Sequence, residues 1–236
     1  MIVFCFCFYL LFLLLLFLSL FLLLFYFFRS KFDFNIHNPS TNTMVNGLNL
    51  SATLNTFKLL FNPSLIKPHV TVSNFSQLPV PIPGKNGAQI KAVILDKDNC
   101  FAVDGADHVF EQYHDKMDEL KKQYPGKLQL LVVSNSAGTN DDTDFKDAQR
   151  VEQNTGLEVY RHAVKKPGCH EDLVAYLKKN KVIDQPSEVA VVGDRLLTDV
   201  VMANQIGGTG VWLSEGVEKS NKLPVRFERL LYNFMQ

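Results

Sequence analysis

Two carboxylates separated by one residue, Asp96 and Asp98 in Asp96-Lys97-Asp98-Asn99-Cys100, stand directly behind the apolar run Ala92-Val93-Ile94-Leu95. Like charges at the end of a buried strand are costly unless a cation, a shared proton or a chemical task relieves their repulsion. The end of such a strand is also where an open α/β sheet collects its ligand. The pair therefore reads as the start of a metal-assisted site. Three later features supply partners for it. Ser134 follows Leu130 to Val133, where a hydroxyl and nearby backbone N–H groups can hold a phosphoryl oxygen. Lys166, before Pro167 at the mouth of a helix, brings an ammonium that can neutralise phosphate charge. Gly193-Asp194-Arg195-Leu196-Leu197-Thr198-Asp199 adds two more carboxylates behind a further apolar run. Carboxylate oxygens collected at one strand end suit a hard cation such as Mg²⁺ better than zinc.

These residues need a sheet to align them, and the pattern from Ala88 onward provides one. Strands are expected at 92–95, 128–133, 157–160, 189–193 and 209–213, and helices at 109–124, 144–154, 169–179 and 198–205. Near-continuous apolar strands alternating with helices indicate a parallel sheet covered on both faces. Gly156 is placed to stop the second helix. The 35 residues between Asp98 and Ser134 suffice for one crossover helix, and so do the 31 between Ser134 and Lys166. Neither gap holds a folded cap domain, so the site is expected to stay open to bulky substrates.

The first part of the chain is different. Residues 1–28 carry no charged side chain, and a bilayer span needs roughly 20 apolar residues. The run is either a transmembrane helix, with Arg29 and Lys31 on its C-terminal side, or a gene-model extension ahead of a start at Met44. Asn35 to Asn46 reads as a polar linker. Leu50, Leu54, Phe57 and Phe61 form a helical apolar stripe, which fits a mitochondrial targeting or interfacial element, or a helix packed on the domain. Five prolines between Pro63 and Pro83 mark an extended connection, so residues 29–87 are expected to be linker and membrane-associating sequence, with the catalytic domain at 88–236.

Lys+Arg and Asp+Glu are equal at 24 each, which removes any global basic field for nucleic acid. Cys5, Cys7, Cys100 and Cys169 show no metal or disulfide spacing, and a reducing compartment is expected. Cys100 is expected to pack rather than react. His108, His114, His162 and His170 are expected at surface or loop positions, Arg195 either on substrate phosphate or in a salt bridge, and Lys166 rather than Lys165 in the site. Asp141, Asp142 and Asp144 are either solvated or cap the following helix.

Over residues 89–213 the order of these motifs resembles the haloacid dehalogenase-like (HAD) phosphohydrolase superfamily, subfamily IIIA-like. The resemblance implies a doubly wound, Rossmann-like α/β fold without a large cap. It implies Asp96 as a nucleophile that becomes an aspartyl-phosphate and Asp98 as the acid and base. Mg²⁺ would lie on Asp96, Asp194 and the backbone carbonyl of Asp98. Ser134, Asn135 and Lys166 would hold the phosphoryl group, with Asp199 supporting the metal or Lys166 from behind. Many superfamily members have Thr where this chain has Cys100. The strings Asp96–Cys100, Ser134–Gly138, His162–Pro167 and Gly193–Asp199, with the proline-containing run 78–83, are similar to the mitochondrial phosphatidylglycerophosphate phosphatases of fungi and plants, in which Cys follows Asp-Lys-Asp-Asn. That narrower resemblance implies hydrolysis of phosphatidylglycerophosphate to phosphatidylglycerol on the matrix face of the inner membrane, on the route to cardiolipin. A phosphatase for a soluble phosphate ester or phosphoprotein remains the alternative, because the motifs do not encode the leaving group.

Overall fold

The computed structural model describes residues 62–220 and 222–234. The apolar run 1–28, the linker and the striped segment ending at Phe61 lie outside the described residues, together with the membrane-crossing and targeting readings attached to them. Among the described residues no helix is long and apolar enough to cross a membrane.

Six parallel strands form one sheet: β1 (Val70–Val72), β2 (Ala92–Leu95), β3 (Leu130–Val132), β4 (Glu158–Val159), β5 (Val189–Gly193) and β6 (Thr209–Leu213), in spatial order β1-β6-β5-β2-β3-β4. The α-helices are α1 (His114–Gln123), α2 (Lys146–Thr155), α3 (His170–Lys179), α4 (Val201–Ile206) and α5 (Leu223–Phe234). A π-helical turn, Leu196–Val200, leads into α4.

Strand alternation divides the core into two layers. Val93 and Leu95, Leu130 and Val132, and Ala190 and Val192 face one side, with Met117 and Leu120 of α1 and Ala148 and Val151 of α2. Ala92 and Ile94, Leu131 and Val133, and Val189 and Val191 face the other, with Leu173 and Leu177 of α3 and Met202, Ala203 and Ile206 of α4. Both faces of the central strands are thus covered, which is why those strands are apolar at every position. α1, α2 and α3 bury residues three or four apart, one side of a 3.6-residue period, whereas the short α4 buries Val201, Met202, Ala203 and Ile206. The ends of α3 complement its dipole, with Glu171 and Asp172 in the first turn and Lys178 and Lys179 in the last. Gly156, at φ 69°, supplies the left-handed residue that closes α2.

One boundary differs from the sequence expectation. The folded unit begins before residue 88, because β1 pairs with β6 in the sheet, Val70 opposite Val211 and Val72 opposite Leu213. Phe75, Leu78 and Ile82 are buried in the core, and the Tyr124 hydroxyl accepts from the Ile82 N–H at 3.1 Å. The prolines exclude long helix from this stretch, but the apolar residues between them still bury against the sheet. No separate cap is inserted in the described residues; the β2–β3 and β3–β4 crossovers each carry one α-helix.

Candidate active site

The register of the sheet brings the chemistry to one edge. Leu95 lies opposite Val192 on β5 and Val132 on β3, so the residues following all three strands emerge side by side. The chain also leaves the sheet in opposite directions from β2 and β5: β3 and β4 continue one way, β6 and β1 the other. Such a switch point opens a crevice at the C-terminal ends of the strands. A cavity of about 520 Å³ lies there, with Asp96, Asp98, Asn135, Lys166, Asp194 and Arg195 among its lining residues.

Lys166 is the centre of the cluster. Its ammonium donates to Asp96 Oδ1 and to Asp199 Oδ1, each at 2.6 Å, and the side chain is only 2% exposed. Burial opposes the charge on Lys166, but Asp199 and Asp96 outweigh it and hold the ammonium well above its ordinary pKa. Burial pushes Asp96 up to about 8, with Lys166 opposing and Asp199, Asp194 and Asp98 adding to the rise. Burial likewise pushes Asp194 up to about 6, against a hydrogen bond from Asn99 Nδ2 at 2.8 Å. One lysine therefore leaves negative charge uncompensated. Carboxylate oxygens of Asp96, Asp194 and Asp199 come within 4.8 Å of one another, and this hard, oxygen-only donor set fits a divalent cation such as Mg²⁺. Both Asp199 oxygens are already engaged, Oδ1 by Lys166 and Oδ2 by the Arg195 N–H at 3.1 Å, which leaves Asp96 and Asp194 as the more available pair. Gly193 is required beside them, since a Cβ there would collide with the Asp199 carboxylate.

Asp98 points to a different set of partners. Lys97, itself buried, forms an ion pair with Oδ1, and the Gly105 N–H donates to the same oxygen at 2.9 Å. Ser136 Oγ donates to Oδ2 at 2.5 Å. Burial works against the Asp98 carboxylate, yet Lys97, Ser136 and Gly105 prevail and keep its pKa below the ordinary carboxylate value. Two neighbouring carboxylates thus sit in contrasting environments, Asp96 pushed up by burial and the carboxylates around it and Asp98 pulled down by its donors.

The other residues singled out from the sequence fall as follows. Ser134 is fully buried, and its Oγ accepts the Ser136 and Ala137 N–H groups at 3.1 and 3.4 Å, so Asn135 and Ser136 are the residues of that loop that line the cavity. Asn135 Oδ1 accepts the Lys166 N–H at 2.7 Å and ties the two loops together. Lys165 turns away and pairs with Asp141 at 2.5 Å. Asp142 accepts the N–H groups of Gly138, Asp147 and Ala148, each at 2.9 Å, and so caps α2 from the preceding loop. His162 is buried, between the carbonyls of Ser134 (3.0 Å) and Val164 (2.9 Å), so it braces the loop; burial lowers its pKa. Arg195 is in the salt bridge of its two readings, with Glu228 on α5, although it also faces the cavity. Cys100 packs fully buried with Sγ 3.7 Å from the Val192 carbonyl oxygen.

Sequence reasoning missed Asn99, Ser136, Thr198, Lys219 and Lys222, all of which line the cavity. Asn99 and Ser136 stand next to the motifs that were read, and their side chains could have been asked for partners. Lys219 and Lys222 lie far along the chain and carry no local signal.

A parallel sheet covered by helices on both faces, with aspartates gathered around the buried Lys166 at its switch point, is a Rossmann-like α/β arrangement whose site suits a phosphatase. The model of the family described as mitochondrial PGP phosphatase matches residues 50–218, and the chain belongs to that family. It is 48% identical over 188 residues to the mitochondrial phosphatidylglycerophosphatase GEP4 of Saccharomyces cerevisiae, covering 80% of this chain and 99% of that one. A probable mitochondrial phosphatidylglycerophosphatase of Schizosaccharomyces pombe is 35% identical over 178 residues, covering 72% and 85% of the two chains. A chloroplastic and mitochondrial phosphatidylglycerophosphate phosphatase of Arabidopsis thaliana is 31% identical over 144 residues, 60% of this chain and 39% of that one.

Proposed function

We propose that the chain removes the terminal phosphate of phosphatidylglycerophosphate, giving phosphatidylglycerol and inorganic phosphate, at the matrix face of the mitochondrial inner membrane on the way to cardiolipin. The observation that carries the chemistry is Lys166 held 2.6 Å from Asp96, with Asp194 beside the pair and Asp98 held apart by Lys97 and Ser136. The substrate is supported by the identity to the yeast phosphatidylglycerophosphatase along nearly its whole length.

In this reading an Asp96 oxygen attacks phosphorus, the bond from phosphorus to the glycerol oxygen breaks, and Asp98 gives its proton to that oxygen. Asp98 is a carboxylate at rest; the arriving phosphate dianion raises its proton affinity because like charge disfavours the ionised form, and Asp98 takes up a proton from solvent water before it acts as the acid. Asp98 then takes a proton from water as that water attacks phosphorus, which frees phosphate and restores Asp96. Lys166, Asn135 and the loop at Ser134 orient the phosphoryl group, and Asp199 fixes the Lys166 ammonium. Mg²⁺ would be held by Asp96, Asp194 and the Asp98 backbone carbonyl, and supplies positive charge against the phosphoryl oxygens. The open mouth of the site admits a phospholipid headgroup.

The test is phosphate release by the purified chain from phosphatidylglycerophosphate and from small phosphate esters, with EDTA and with added Mg²⁺. The expected result is Mg²⁺-dependent release that strongly favours the lipid. Release from small esters alone would assign the chain to a soluble substrate. Full activity in EDTA would remove the metal from the scheme.

A further inference from the structure

Five large apolar side chains are exposed among the described residues, and three of them belong to α5. Leu223, Phe227 and Leu230 are 78%, 52% and 69% exposed, at i, i+4 and i+7 on one side of the helix. The opposite side is committed to the domain. Val225 is buried, Glu228 is buried against Arg195 and the Leu196 N–H (2.8 Å), and Tyr232 packs edge-on to Trp212 with centroids 4.9 Å apart. The helix is therefore firmly attached and still presents apolar side chains to the outside.

The exposed charge of the helix itself is cationic, at Arg226. Lys219, Lys222 and Arg226 are exposed, whereas Glu228, the acidic residue of the helix, is buried; Glu218 is exposed just before them, and Lys222 forms an ion pair with Asp104. Arg229 is half-buried and donates to the carbonyls of Ser214 and Ser220, each at 3.0 Å, which fixes the turn leading into the helix. Lys219, Lys222 and Val225 also line the active-site cavity, together with Asp104 and Glu218, so the apolar stripe lies beside the mouth through which substrate enters.

We propose that α5 is an interfacial helix that docks on an anionic lipid surface, seating Leu223, Phe227 and Leu230 among the acyl chains and setting the active-site mouth against the headgroups. An apolar stripe edged by Lys and Arg is the pattern that partitions into an anionic interface. A second copy of the chain is the less suitable occupant. An isologous contact through the same patch would bring two copies each of Lys219 and Arg226 into one interface, where like charges repel. The inference rests on the proposed action on a membrane phospholipid and adds the surface by which the enzyme reaches it.

The test uses the full chain with Leu223→Ser, Phe227→Ser and Leu230→Ser combined. Phosphate release is measured from phosphatidylcholine vesicles carrying phosphatidylglycerophosphate and from p-nitrophenyl phosphate. Loss of burial of even one such side chain corresponds to roughly tenfold in partitioning. The expected result is a rise of about tenfold or more in the apparent KM on vesicles, with unchanged kinetics on the soluble ester. In a separate Phe227→Trp variant, bromine-labelled lipids in anionic vesicles should quench the new tryptophan, a readout that reports α5 whatever other segments bind. An unchanged KM on vesicles, or no quenching of the tryptophan, would overturn the proposal. So would dissociation of an oligomer by the triple substitution with vesicle binding intact, which would give the face to a second copy. Failure of the substrate assignment looks different, since the unsubstituted chain would then release no phosphate from vesicles at all.

Discussion

Replacing Lys166 with Met removes the one ammonium that neutralises both Asp96 and Asp199, while keeping most of the stem volume. The side chains of Asp96 and Asp199 are 10% and 0% exposed, so water does not take over the role. Breaking a buried ion pair by removing one partner costs about 3–5 kcal/mol. Two partners are stranded here, so the upper part of that range applies. A loss of 1 kcal/mol lowers Tm by about 2–4 °C in domains of this size, which predicts a fall of roughly 10–15 °C. The melts belong in EDTA, so that no divalent cation substitutes for the lysine. Adding Asp199→Asn removes one stranded charge and should restore about half of the lost stability, a coupling that independent sites would not show. Phosphate release should stay at least about 100-fold down in both variants, because the charge beside the phosphoryl group is gone. A Tm for Lys166→Met within 2 °C of the parent, or a double variant no more stable than the single one, would refute the role of Lys166 as the shared counter-charge.

Asp142→Ala removes the acceptor of three N–H bonds and should cost about 2 kcal/mol in urea unfolding. Burial opposes the Asp142 carboxylate, but those N–H groups lower its folded pKa. Its contribution is therefore complete above the unfolded carboxylate value of about 3.9 and is lost as pH falls through the lower folded value. The acid limb of stability against pH should be shallower in the variant. Glu228→Ala leaves Arg195 and the Leu196 N–H without their buried acceptor and should cost about 3 kcal/mol, whereas Glu228→Gln, which keeps an acceptor, should cost distinctly less in the same melts. Cys100 and Cys169 should resist iodoacetamide at pH 8 in the native protein and react after unfolding, as peptide mapping will show. Burial raises both thiols, Cys169 to about 11 and Cys100 well above its ordinary value.

The central strands were the most legible part of the fold. Residues 92–95, 189–193 and 209–213 have the same bounds in sequence and structure, because strands buried on both faces read as near-continuous apolar runs. β1 was not legible. Val70-Thr71-Val72 is short, lies among prolines and sits at the sheet edge with incomplete burial, so its pairing with β6 is a tertiary fact. α5 was missed as well, although Pro224 near its start is a signal for a first helical turn. Its buried face is built around Glu228, whose burial depends on Arg195, 33 residues away along the chain. In the site, the order of Asp96, Lys166, Asp194 and Asp199 was readable because each follows a strand end. Their mutual bonds were not, and the same holds for the grip of Lys97 and Ser136 on Asp98. Spacing shows which residues reach an edge, and packing decides which oxygen each one meets.

The claim that phosphate passes through a covalent bond to Asp96 can be tested directly. The chain is mixed with phosphatidylglycerophosphate labelled in its terminal phosphate, quenched in acid during turnover and mapped by mass spectrometry. A phosphoryl group should appear on the peptide carrying Asp96 and disappear under hydroxylamine, and an Asp96→Asn variant shown to be folded by circular dichroism should carry none and release no phosphate. Turnover with phosphate on any other residue, or retained release by Asp96→Asn, would contradict it.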